Sequence, residues 1–298
     1  MEKFRLIPLL TAAVMGCTAL LAGCGKGSDS SSSKAEEGAK TSDDGSINKD
    51  LTSTELARLL GNGTNLGNTM EAYGHKSYSA DTDPESFETF WGQPVTTEEM
   101  IKGMKASGFD SLRVPVAWTN AMEYEKGDYT INEAYLDRVE EVINYALDND
   151  MYVIINDHWD GSWWGMFGSS KQSDVDKAFE MYKSMWTQIA NRYKKYSDRL
   201  IFEGANEELG DRLNDTDVCK NSGSLSKAEC YEMANKINQT FVDTVRATGG
   251  NNEQRFLLIA GYNTDITMTC SNKFQMPTDT AKAVSYTHLR AHETGRNL

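Results

Sequence analysis

The chain has 298 residues, 39% hydrophobic and 25% charged, enough apolar side chain for one large α/β domain and too much for a disordered polymer. Acids outnumber bases 44 to 30 for a net charge of −14, which repels a phosphate backbone and excludes nucleic acid as a natural partner. Five cysteines are too few for a disulfide scaffold, while thirteen Tyr, ten Phe and six Trp supply a core and flat apolar faces for a neutral ligand.

The first element is an address. Residues 1–24 open with Lys3 and Arg5, continue as an apolar run and end at small residues, the pattern of a secretory signal. Leu21-Ala22-Gly23-Cys24 resembles the lipobox of bacterial lipoproteins. That resemblance implies cleavage after residue 23, acylation of Cys24 and an extracytoplasmic location with a lipid as the only membrane contact. Residues 24–50 carry almost no large apolar side chain and are expected to form a disordered tether. Export makes Cys219 and Cys230, both in the polar stretch DVCKNSGSLSKAEC, candidates for a disulfide.

From residue 60 onward five β-rich runs are predicted, at Gly63–Leu66, Ser111–Trp118, Met151–His158, Leu200–Glu207 and Phe256–Tyr262. Each is mostly apolar rather than alternating, as in strands buried on both faces. Amphipathic helices separate them. Thr96-Thr97-Glu98-Glu99 offers a cap for Met100–Ala106, and Ser226 with Glu229 caps a helix that Gly249 ends. The stripes Val139-Val142-Ile143-Ala146-Leu147, Phe179-Tyr182-Trp186-Ile189-Tyr193 and Ala234-Ile237-Phe241-Val245 mark the inner helix faces. Repeating βα units imply a parallel sheet, doubly wound or closed. Gly61-Asn62-Gly63 does not fit G-x-G-x-x-G opening a helix, and polar residues gather at strand carboxyl ends, so a (β/α)8 TIM barrel is favoured. About five of its eight βα units are visible, so residues 51–283 are expected to form an incomplete barrel.

Glu207, at the end of LIFEGANE, stands where such a barrel opens to substrate, and a carboxyl there can donate a proton to a leaving oxygen. Asn206 beside it can hydrogen-bond a sugar hydroxyl. Glu203 and Glu208 read as structural or rim residues. Trp163, Trp164, Trp118 and Trp91 are candidate sugar-stacking platforms, with Asn65 and Tyr73 lining the same cleft. The histidines, His75, His158, His288 and His292, form no metal-binding spacing, and no G-x-S-x-G elbow exists. No metal or other cofactor is expected.

LIFEGANE resembles the acid/base signature of glycoside hydrolase family 5. GTNLGNTMEAYG, ESFETFWGQPVTTEEMIKGMKASGFDSLRVPVAW, INEAYLDRVEEVINYALDNDMYVIINDHWDGSWW and FLLIAGYN match the family in the same order. The resemblance implies Glu207 as general acid/base and Asn206 as partner of the substrate 2-hydroxyl. It places Arg113 beneath the reactive carboxylates and gives His158 a supporting role in the cleft. The family commonly has Pro where Glu208 stands, a departure expected to loosen the local turn. It implies a monomeric, retaining endo-β-glycanase acting on cellulose or mixed-linkage β-glucan. Mannan, xylan and xyloglucan remain open, as does a non-catalytic, glycan-binding surface lipoprotein.

A retaining glycosidase needs a second carboxylate, about 5–5.5 Å from the first, as nucleophile. The family carries it on a seventh strand, and the only carboxylate after residue 281 is Glu293, in His292-Glu293-Thr294. No nucleophile is therefore assigned within the chain, and the polypeptide alone is expected to be inactive. Val284–Thr294 resembles translated adapter DNA of sequencing libraries, so residues 284–298 read as a non-native tail.

Overall fold

The computed structural model describes residues 42–286, apart from 75, 76, 159, 161, 162, 216–222 and 280. Cys24, His75, Cys219, His288 and His292 lie outside the described residues. The elements are α1 (Ser53–Leu59), β1 (Gly63–Asn65), α2 (Pro84–Glu88), α3 (Glu98–Ala106), β2 (Ser111–Val114), α4 (Glu133–Leu147) and β3 (Tyr152–Asn156). They continue with α5 (Gln172–Tyr193), β4 (Leu200–Glu203), α6 (Lys227–Ala247), β5 (Leu257–Ala260), α7 (Ile266–Thr269) and β6 (Ala283–Tyr286).

The six strands pair in chain order, each parallel to the last. A doubly wound sheet reverses its strand order; this one never does, which is the winding of a (β/α) barrel. β4 and β5 are buried along their whole length, as continuous apolar runs demand. The three predicted helix stripes are buried on α4, α5 and α6. Across them Trp186 meets Phe241 edge to face at 4.5 Å between ring centroids. The caps follow the sequence: the Thr97 side chain accepts from the Met100 N–H, and Ser226 and Glu229 form a reciprocal capping box.

The structure adds two features to the sequence reading. A sixth strand pairs Ala283–Tyr286 with Leu257–Ala260, reaching into the stretch expected to be a tail. Val and Tyr have the β preference that the open edge of β5 selects. Residues 42–50, expected to belong to the tether, are docked. The Asp43 carboxylate accepts the Ser197 N–H at 2.8 Å and its hydroxyl at 2.5 Å. Asn48 N–H donates to Asp198 at 2.9 Å, and Asn251 Nδ2 donates to the Gly45 carbonyl at 2.7 Å. Ser197, Asp198 and Asn251 all precede strands, so this strap lies across the amino ends of the sheet, the floor of the barrel.

Arg255 sits behind the strap, fully buried. Its guanidinium stacks on Phe202 and donates to Asn252 Oδ1 and to the carbonyls of Ser197, Leu200, Tyr193 and Tyr196. Burial pulls its pKa down to about 9 against the attraction of Asp43 and Asp198.

Candidate active site

The carboxyl ends of the strands form the mouth of the barrel. β4 stops at Glu203, and the Gly204 N–H donates to the Leu258 carbonyl at 3.1 Å before the chain departs from the sheet. Glycine is required there because a Cβ would lie 2.7 Å from the Phe241 ring, and the Gly204 carbonyl accepts the Tyr182 hydroxyl. Asn206 and Glu207 therefore stand on the loop beyond the strand, not within it as the apolar run had implied.

Arg113 on β2 braces this loop from below. Its Nε and Nη2 hold both oxygens of the fully buried Glu203 at 2.6 and 2.7 Å, a bidentate pair. Nη2 also donates to Asn206 Oδ1 at 2.9 Å, and Nη1 reaches Asn65 Oδ1 at 3.5 Å. Glu203, read from the sequence as a structural or rim residue, is the carboxylate that fixes Arg113. Glu207 projects from the braced loop with its side chain 38% exposed and Arg212 at 3.7 Å.

His158 follows β3. Asn156 spends its Oδ1 on the Val116 N–H, so its Nδ2 faces His158 Nδ1 at 3.2 Å. With the amide donating, Nδ1 accepts and the imidazole proton resides on Nε2. Asn65 is exposed at the end of β1. The Tyr73 hydroxyl lies 3.3 Å from that of Tyr124, and burial pushes its pKa up.

Three of the four expected platforms are not available to a sugar. Trp118 is buried with Nε1 donating to the Asn156 carbonyl at 2.8 Å. Trp163 and Trp164 stack on each other at 4.5 Å between centroids and pack against Phe167 and Tyr182. They turn inward at the start of the 3-10 turn Trp164–Gly168, and there close the core beside α5. Trp91 alone of the four is exposed, on the segment after α2. Cys230 carries a buried free thiol, and its expected partner Cys219 lies outside the described residues.

Sequence reasoning missed a carboxyl cluster beneath the mouth. Asp157, Asp160 and Glu208 are all buried. Asp160 accepts the Thr119 N–H at 3.0 Å and its hydroxyl. Burial and then the neighbouring Asp160 charge push the Asp157 pKa well up. Burial pushes Glu208 up to about 8, against the Asn206 N–H and the Arg212 charge. The signal was present in acids near the carboxyl ends of strands, in Asn156-Asp157-His158 and in Glu207-Glu208-Leu209. Among the described residues no cluster of His, Cys, Asp and Glu is arranged to hold a metal ion.

The profile described as Cellulase (glycosyl hydrolase family 5) matches residues 75–290. The chain is 40% identical over 231 residues to the xyloglucan-specific endo-β-1,4-glucanase BoGH5A of Bacteroides ovatus, covering 78% of this chain and 43% of that protein. Among solved structures it resembles a broad-specificity endoglucanase of Ruminococcus champanellensis with bound cellotriose, at 38% identity and a TM-score of 0.67. That match covers 79% of this chain and 65% of the other. A broad-specificity endoglucanase of Clostridium longisporum gives 32% identity and a TM-score of 0.69, covering 81% and 65%. The chain thus spans less than half the length of the Bacteroides relative. Its six parallel strands, its braced Asn-Glu loop and these likenesses agree, and the chain belongs to glycosyl hydrolase family 5.

Proposed function

We propose that this chain is part of an endo-β-1,4-glucanase that cleaves soluble β-glucan or xyloglucan with retention of configuration. The observation that carries the reading is the loop held by Arg113, Glu203 and Asn206, which presents Glu207 to solvent at the strand ends. Glu207 protonates the glycosidic oxygen in the first step and takes a proton from water in the second. With Asn206 Oδ1 committed to Arg113, its Nδ2 is the end left to meet a hydroxyl of the sugar being cleaved. The attacking carboxylate comes from barrel strands outside the six described. The names of the relatives, which include a xyloglucan-specific enzyme and broad-specificity endoglucanases, support this substrate class.

An acyl chain on Cys24 fixes the enzyme to the outer side of a bacterial membrane, consistent with an excess of acids that gives anionic lipid no electrostatic hold. The test is incubation of the enzyme carrying its complete barrel with mixed-linkage glucan, xyloglucan and mannan, followed by NMR of the first products. Oligosaccharides of retained β configuration from the glucans are expected. Binding of glucan with no release of reducing ends refutes the hydrolase and leaves a glycan-binding protein.

A further inference from the structure

Glu207 and Glu208 are chain neighbours with opposite surroundings. The Glu207 side chain is 38% exposed, whereas Glu208 is 2% exposed. Oε2 of Glu208 turns back and accepts the Asn206 N–H at 2.9 Å, closing a ring of main chain around Glu207. Asn206 is consequently gripped twice, at its side chain by Arg113 and at its main chain by Glu208. What remains free for Glu207 is rotation about its own side-chain bonds.

Asp, Asn and Ser side chains commonly fix turns by accepting an N–H two residues further along the chain, whereas Glu208 fixes this one by reaching two residues back. Here a buried glutamate does it, at a desolvation cost that a surface residue would avoid. Asp157 and Asp160 from the loop after β3 and Tyr182 from α5 belong to the same buried polar cluster, and Glu207 and Arg212 flank Glu208 along its own segment. Stability alone is better served by an apolar side chain in that setting. The return is positional: a misplacement of about 1 Å at a reacting group costs as much as 100-fold in rate.

We propose that Glu208 is a positioning residue for the reaction. By holding the Asn206 N–H it sets the angle at which the Glu207 carboxyl meets the glycosidic oxygen. The inference rests on the role assigned to Glu207 above, and its test separates the two. In the enzyme carrying its complete barrel, Glu208→Ala and Glu208→Gln are compared by kcat/KM on two substrates. One is an unactivated β-1,4-glucan, whose leaving oxygen needs a proton. The other is a dinitrophenyl β-cellobioside, whose leaving group departs without one.

Loss of the grip should lower kcat/KM of Glu208→Ala on the glucan about 10- to 100-fold and on the activated glycoside several-fold less. Glu208→Gln keeps an acceptor for the Asn206 N–H and should recover most of the loss on the glucan. Equal losses on both substrates, a Gln variant as poor as Ala, or an unaffected Ala variant overturns the inference. A parent enzyme inactive on every β-glucan overturns the assignment of Glu207 instead.

Discussion

The barrel buries charge at both of its ends and treats it oppositely. On the floor, one cation, Arg255, is surrounded by five oxygen acceptors and capped by the strap residues 42–50. At the mouth, three carboxyls, Asp157, Asp160 and Glu208, are packed together with few donors, and all three titrate high. A fully bonded charge resists replacement and anchors strand ends. Crowded carboxyls hold free energy that pH can release, a setting that suits proton transfer nearby. The difference separates what holds the sheet from what the sheet holds up.

The sharpest break is at the mouth. Glu207→Gln should reduce kcat on unactivated glucan by at least about 100-fold, the usual share of a general acid, while leaving the melting temperature unchanged. The half-exposed side chain makes that neutrality expected, and steady-state kinetics with a thermal melt read both. On the floor the effect moves to folding. Arg255→Met strands the four carbonyls and the Asn252 side chain, and should cost about 3–5 kcal/mol in urea unfolding.

A third prediction separates the ends by pH. Glu208 is raised from 4.5 to about 8 in the folded chain, so between those values the folded state holds a proton that the unfolded state has lost. Stability should therefore fall as pH climbs from about 4.5 through 8, by up to about 1.4 kcal/mol per unit for this group. Asp157 and Asp160 act in the same direction. Urea unfolding at pH 5.5 and 8.5 checks the slope, and Glu208→Gln should flatten part of it. The smallest effect belongs to the strap: Asp43→Ala removes both bonds to Ser197 and should cost about 1–2 kcal/mol, measured the same way.

Much of the barrel was legible in the letters. All five predicted strands exist; β4 and β5 are buried throughout, as apolar runs demand, and the α4, α5 and α6 stripes point inward. Strand ends were read too long. The run Leu200–Glu207 was carried on through Gly204 and Ala205, and only the approach of Phe241 to Gly204 reveals where the strand ends. Trp163 and Trp164 were misplaced because an indole after a strand suits a rim and a core equally, and the choice depends on α5 packing behind them. The strap was invisible because its contacts run through main-chain groups, Asp43 and Asn48, the same residue types that make a linker. The resemblance placed Arg113 beneath the reactive carboxylates, but its partner Glu203 could be named only once β2 and β4 were placed on either side of β3.

The strap also sets a direction. The chain enters the barrel at Ser42, beside Asp148 and Ser197, on the side away from Glu207. Any pull transmitted through the preceding residues acts on the closed base.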